Sequence, residues 1–115
     1  MARLRSAAEL DATRAEQGEL WNQIRRTALD QVDAFCRRNG LQTGDFMSSM
    51  GWLRQGSWRP GVDWRECVDW NRFNDMILSN ISPNRRGLDI GGFNRELREG
   101  RETYVQNATP RPQRA

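Results

Sequence analysis

Apolar residues between Glu19 and Arg38 recur at intervals of three and four, and this spacing constrains the fold more than any other feature. Residues at such intervals lie on one face of an α-helix. Asn39-Gly40 follows, a pair typical of a left-handed helix C-terminus. The segment therefore predicts an amphipathic helix that packs on a core. Its stripe consists of Trp21, Ile24, Ala28, Val32 and Phe35.

This helix is predicted to begin well before the stripe. Ser6-Ala7-Ala8-Glu9 is a capping-box pattern, in which the Ser6 oxygen accepts a backbone N–H bond and Glu9 reaches back toward the cap. Gly18 weakens the helix without ending it. We therefore expect one helix from about Ala7 to Arg38.

Three further helices are predicted, over residues 43–54, 63–80 and 92–105. Thr43 is the candidate N-cap of the first, and Asp63 is that of the second. No segment alternates polar and apolar residues with period two, so we expect no sheet. The predicted fold class is all-α, with four to five helices and a Trp-rich loop.

The domain organisation follows from the same pattern. A chain of 115 residues suits a single domain, and we place that helical domain at residues 1–106. Residues 107–115 contain two prolines and no apolar periodicity, which predicts a disordered tail.

Composition argues against an enzyme. The chain has no histidine, and its only cysteines are the widely spaced Cys36 and Cys67. General acid–base catalysis and zinc binding rely mainly on those residue types. Since no phosphate-binding loop or nucleophile motif is present either, we predict no catalytic residues, no metal, no cofactor and no small-molecule ligand.

The cellular location is predicted from two features that the sequence lacks. No apolar run approaches the roughly 18 residues that a membrane span needs, and the N-terminus lacks the apolar stretch of a signal peptide. We therefore expect no membrane contact and a cytoplasmic protein, with a virion as the alternative. Cys36 and Cys67 lie in apolar stripes, which favours buried, reduced thiols over a disulfide.

Tryptophan recurs every six residues in the middle of the chain, and this repeat allows two interpretations. Successive positions on a helix would be rotated by about 120°, so the four cannot share one face. They either clamp a loop onto the core, with arginines over their rings, or form an exposed Trp/Arg contact surface. Trp58 and Arg59 are the best candidates for exposure. The four are Trp52, Trp58, Trp64 and Trp70.

Residues 35–49 resemble a helix-turn-helix, with Gly40 at the turn. In that motif the second helix reads base edges, so Gln42, Thr43 and Ser48 are possible DNA contacts. Ordinary helical hairpins show the same spacing, which leaves that alternative open.

All 18 basic residues are arginines, and the C-terminal third carries an excess of them. One interpretation is a phosphate-contacting surface. The other is a solvated face of salt pairs, such as Arg95 with Glu99 four residues later. The candidate nucleic-acid or partner contacts here are Arg85, Arg86, Arg95, Arg98 and Arg101.

These features together predict a non-enzymatic binding or regulatory protein, from a bacterium, a phage or a plasmid. Its Arg and Trp surfaces would contact nucleic acid or a nucleic-acid-processing complex. The alternative is a protein–protein interaction or assembly component of a phage-like particle, or an inhibitor of a larger complex. The long segment 7–38 would then support self-association into a homo-oligomer.

Overall fold

The computed structural model describes residues 7–108, with side chains described for residues 14–106. This part of the chain is helical and contains no strand, which confirms the all-α fold class. Extended backbone pairs there only at two isolated antiparallel bridges, Leu53 with Val68 and Ile81 with Leu88. The elements are α1 (Ala7–Arg38), α2 (Thr43–Ser49), a short 3-10 helix (Trp64–Cys67), α3 (Trp70–Leu78) and α4 (Ile90–Ala108).

Helix α1 has the predicted bounds and passes Gly18 without a break. Gly40 takes a φ of +66°, as the left-handed stop requires. The side chain of Asn39 donates a hydrogen bond to the Phe35 carbonyl at 2.8 Å and so satisfies one of the last free carbonyls. The predicted cap at Ser6 lies outside the described residues.

The hydrophobic core lies between the four α-helices. The predicted α1 stripe is buried from Ile24 onward, whereas Trp21 is half-buried at the end of the core. Three phenylalanines with no exposed surface fill the centre and contact the flanking aromatic rings edge to face. They are Phe46 of α2, Phe73 of α3 and Phe93 of α4.

Helix α2 is shorter than the predicted segment 43–54 and is capped differently. It ends at Ser49, because Gly51 takes a φ of +78° and turns the chain away. The N-cap is Gln42, whose side chain makes no capping bond. Thr43, the predicted cap, instead donates its hydroxyl to the Asp33 carboxylate at 2.8 Å.

The predicted helix over 63–80 is wrong in its first third. Asp63 does cap, accepting from the backbone N–H of Arg65 at 3.0 Å, but it starts only the 3-10 helix. Val68 is then extended and bridges Leu53. Asp69 restarts the helix by accepting from the N–H of Asn71 at 3.1 Å. Helix α3 therefore begins at Trp70.

Helix α4 is longer at both ends than the predicted 92–105. It begins at Ile90, close to Asp89, whose carboxylate accepts from the Gly92 N–H at 3.2 Å. It reaches Ala108, two residues into the segment predicted to be a tail. Residues 109–115 lie outside the described residues, so their predicted disorder stays a prediction.

Candidate functional site

The structure places the four regularly spaced tryptophans in half-buried positions against the core. The ring of Trp58 lies on Gly44 of α2, and its Nε1 donates to the Val62 carbonyl at 3.1 Å. Trp52 packs against Phe73 with ring centroids 5.3 Å apart. Trp52 and Trp58 lie in the loop between α2 and the 3-10 helix. The repeat therefore clamps the loop onto the helices.

Arginines cover two of these four rings, Trp64 and Trp70, in agreement with the clamp interpretation. The Arg25 guanidinium lies 5.1 Å from the ring centroids of both Trp21 and Trp70. Arg65 lies 4.8 Å from the Trp64 ring. Trp64 and Trp70 are both half-buried. Arg59 alone of the predicted Trp58–Arg59 pair is exposed.

The helix-turn-helix residues are not brought together as a reading surface. Gln42 and Ser48 are exposed, but Thr43 is only 7% exposed and bonded to Asp33. In a DNA-reading motif the first residues of the second helix contact base edges. Here the ring of Trp58 covers that end of α2 at Gly44. Thr43 is therefore unavailable as a base contact in this conformation.

The predicted C-terminal arginines divide by location. Arg85 and Arg86 lie on the loop between α3 and α4, and Arg95 and Arg98 lie on α4; all four are exposed. Arg101 is half-buried, with its Nε buried and unbonded.

The predicted Arg95–Glu99 pair does not form. The ion pairs found among the described residues are Arg37–Asp33, Arg65–Asp30 and Arg72–Asp69. The exposed arginines Arg85, Arg86, Arg95 and Arg98 are therefore unpaired in this part of the chain.

Residues 82–87, here called the arginine loop, are held by their own hydrogen bonds. Asn84 accepts from the Arg86 N–H at 3.0 Å, and the Ser82 hydroxyl oxygen accepts from the Gly87 N–H at 3.2 Å. Arg85 has a φ of 59°, the one positive φ of a non-glycine residue within the described range. Strain of this kind persists where the surroundings enforce it and is frequent at functional positions.

An open groove of about 580 Å³ separates α1 from the end of α3 and the arginine loop. We call it the α1 groove. Leu78 lies on its wall and is 61% exposed, the highest exposure among the large apolar residues of the described part. Arg85 is the charged residue in the lining. The other lining residues are Gln17, Leu20, Trp21, Ile24, Ile81, Ser82 and Pro83.

A second groove of about 580 Å³ lies between the end of α1, α2 and the Trp-rich loop. Its lining includes Asp33, Arg37 and Asp45, of which the first two already pair with each other at 3.0 Å. Because its charges are mixed and partly neutralised, this second groove favours neither an acidic nor a basic partner. The α1 groove, with a basic edge and an apolar floor, is the more specific surface.

Sequence reasoning missed the α1 groove. On α3, Phe73 and Ile77 are buried and Leu78 is not. In the sequence, the only signal of the groove is that Leu78 is apolar but lies outside the predicted stripe of this helix. A single exposed leucine is common on protein surfaces. What makes Leu78 informative is its position facing Leu20 and Trp21 across the groove, which the sequence does not reveal.

The Cys36 thiol is not activated as a nucleophile. Burial raises the pKa of the Cys36 thiol from 9.0 to about 11, and the Asp33 carboxylate adds to that effect. The thiolate is the reactive form, so this thiol is inert at neutral pH. Burial, with repulsion from Asp45, also raises the pKa of Tyr104.

Between residues 7 and 108, no group of three or more His, Cys, Asp or Glu side chains is arranged to hold a metal ion. The helices described there are too short or too polar to cross a membrane. Models of protein families, curated proteins and solved structures all fail to match this chain.

Proposed function

We propose that the protein is a non-enzymatic interaction module whose α1 groove binds an acidic, amphipathic helical segment of a protein partner. The observation that carries the proposal is that Arg85 lines a groove whose other described lining residues are mostly apolar. An assembly component of a phage-like particle, or an inhibitor of a larger complex, would use such a surface. The predicted location in the cytoplasm or a virion belongs to the same proposal.

The shape of the groove supports a helix as its occupant. One wall is a helix that contributes Gln17, Leu20 and Ile24, which are spaced by three and four. The opposite wall includes Leu78 and Ile81. Amphipathic helices dock into apolar grooves through residues at this spacing.

The charge of the groove supports an acidic occupant. Arg85 lines it, none of the lining residues that the structure describes is acidic, and the exposed Arg86 is the next residue along the arginine loop. The hydrogen bonds of Asn84 and Ser82 hold this loop in place before a partner arrives. A preformed loop loses little conformational entropy on binding, which favours affinity.

Two synthetic helical peptides test the proposal. Both carry leucines at positions three and four apart; one has glutamates elsewhere and the other has lysines. Fluorescence anisotropy on dilute protein should show binding of the glutamate peptide and little binding of the lysine peptide. Equal affinity for both, or binding of neither, contradicts the proposal.

Variants connect that binding to the groove. Leu78→Glu should weaken it at least tenfold, and Arg85→Glu should shift the preference toward the lysine peptide. Val62→Glu is the matched control, because Val62 is an apolar residue 40% exposed outside the lining of the α1 groove. If Leu78→Glu and Val62→Glu behave alike, the binding site lies elsewhere.

Nucleic-acid binding is a second candidate, favoured by Arg85, Arg86, Arg95 and Arg98, which are exposed and form no ion pair with another described residue. Arginines that neutralise phosphates release counterions, so the logarithm of affinity should fall linearly with the logarithm of salt concentration. Mobility shifts on duplex and single-stranded DNA across a salt series measure that slope. Its absence rejects this candidate without affecting the first.

A further inference from the structure

We infer that residues 7–17 of α1 from a second copy of this chain occupy the α1 groove, so that two α1 helices pack antiparallel in a symmetric dimer. The inference rests on the proposed function, because it names the partner of the same groove. In a two-fold pair each copy would fill the groove of the other.

The first part of α1 extends past the body of the protein. Residues 14–19 are all exposed, and α1 becomes half-buried only at Leu20. From Ala7 to Gly18 the helix is about 18 Å long. Helical segments of this length are marginal in water unless another surface covers them. We call residues 7–19 the α1 arm.

The spacing of residues continues the groove wall into the α1 arm. Positions 10, 13, 17, 20 and 24 alternate intervals of three and four, the spacing of a helix–helix seam, and hold Leu, Thr, Gln, Leu and Ile in turn. Gln17, Leu20 and Ile24 line the groove. In the sequence, Leu10 and Thr13 precede them at the same intervals.

The position of the groove on α1 fixes how two copies would align. Gln17 is the first described residue of the groove lining and also belongs to the α1 arm. A two-fold axis beside Gln17 would therefore let the α1 arm of each copy lie in the groove of the other. This register sets residues 10–17 of each copy against residues 17–24 of the other. Such an interface uses the same surface on both subunits, as two-fold dimers do.

The charges of the α1 arm complement those of the groove. Residues 7–19 contain four acids, Glu9, Asp11, Glu16 and Glu19, against the single basic residue Arg14. Arg3 and Arg5 precede this segment, outside the described residues. Among its described lining residues the groove presents Arg85, which Arg86 follows in the chain, and no acid. Opposite charges across an interface favour association and set the orientation of the partner.

Light scattering of the full-length protein after size exclusion tests the inference. We expect a dimer that dissociates on dilution. Leu78→Glu should give a monomer at concentrations where Val62→Glu remains a dimer. Excess glutamate peptide should convert the dimer to monomer, since it competes with the α1 arm, whereas the lysine peptide should not.

Charge reversal tests the pairing of the α1 arm with the arginine loop. Glu9→Arg with Glu16→Arg should weaken the dimer, and so should Arg85→Glu with Arg86→Glu. Combining all four changes in one chain should restore it, because each contact is again between opposite charges. Glu16, Arg85 and Arg86 are exposed, so circular dichroism should show folded protein throughout.

A cysteine at the axis tests the register. Gln17 is exposed, so Gln17→Cys should form an intermolecular disulfide under mild oxidation. Ser48→Cys, on the exposed side of α2, is the control. The native Cys36 and Cys67 are 0% and 2% exposed and should not compete.

The outcomes separate this inference from the proposed function. A monomer that binds the glutamate peptide overturns the dimer and leaves the groove function standing. A dimer insensitive to Leu78→Glu, or a Gln17→Cys variant that cross-links no faster than Ser48→Cys, also overturns it. A monomer that binds neither peptide overturns both.

Discussion

The indole ring of Trp58 covers Gly44 so closely that residue 44 has no room for a Cβ. Gly44 lies in the first turn of α2, and the Trp58 Nε1 is held by the Val62 carbonyl. A glycine in α2 and a tryptophan in the following loop thus act as one packing unit. This contact fixes the Trp-rich loop on the helices.

A double-mutant cycle measures this unit. Gly44→Ala should lower the free energy of unfolding by about 2 kcal/mol, because the added methyl group pushes the ring away. Trp58→Ala should cost about 3 kcal/mol through the lost packing. In the Trp58→Ala background, Gly44→Ala should cost close to nothing, as measured by urea unfolding. Additive costs would show that the two residues do not depend on each other.

Gly18, unlike Gly44, has room for a side chain. A Cβ there would meet nothing within 4 Å, and the residue lies inside α1 with helical backbone. Gly18→Ala should therefore stabilise the protein by about 1 kcal/mol, since alanine favours the helix. Thermal unfolding followed by circular dichroism measures this. A lower melting temperature would mean that residue 18 contacts something that the monomer does not contain.

Arg85 and Arg86 should respond differently to glycine. Arg85 has a positive φ, which costs an arginine roughly 1–2 kcal/mol and a glycine nothing. Arg86→Gly relieves no backbone strain, because residue 86 has no positive φ, and it only raises the conformational entropy of the unfolded chain. We expect Arg85→Gly to be more stable than Arg86→Gly by about 1 kcal/mol in chemical denaturation. Equal stabilities would argue against strain in the arginine loop.

Alkaline pH should destabilise the fold through Cys36. The folded-state pKa is about 11 and the ordinary value is 9.0, so above pH 9 the unfolded chain loses its proton first. Stability is therefore intact below pH 9 and falls as pH rises to 11, by on the order of 2 kcal/mol. The raised pKa of Tyr104 acts in the same direction.

The control for this pH dependence is Cys36→Ala. It should lower stability at neutral pH, because it leaves a cavity in the core. Its urea midpoint should then decline less steeply between pH 9 and 11 than that of the unmodified chain. An equally steep decline would assign the effect to groups other than Cys36.

Helix α1 was predictable because every signal for it is local. Its stripe, the Asn39-Gly40 stop and the tolerated Gly18 all act within a few residues, and the structure agrees with each. The end of α2 was equally local in cause. Gly51 provides the turn, whereas the prediction rested on the apolar spacing out to Leu53.

The region from Asp63 to Asp69 was mispredicted because a distant contact decides it. Two cap residues, Asp63 and Asp69, compete to start a helix there. Val68 pairs with Leu53 from the other side of the Trp-rich loop, and that bridge extends the backbone between the two caps. Apolar spacing alone does not report such pairing.

The candidate site was predictable only in part. Exposure of Arg85 and Arg86 follows from a polar, proline-containing loop. The α1 groove does not, because it depends on how the end of α3 faces Leu20 and Trp21. Burial of Thr43 likewise follows from its bond to Asp33, ten residues earlier on a different helix.

The two isolated bridges have a consequence for how fast the chain folds. Leu53–Val68 and Ile81–Leu88 each close a short stretch of backbone, so little chain entropy opposes them. Helix α4 differs, since Asn94 meets Gln31, which lies 63 residues away. Docking of α4 should therefore limit the rate, and in stopped-flow refolding Leu97→Ala should slow folding more than Met47→Ala does.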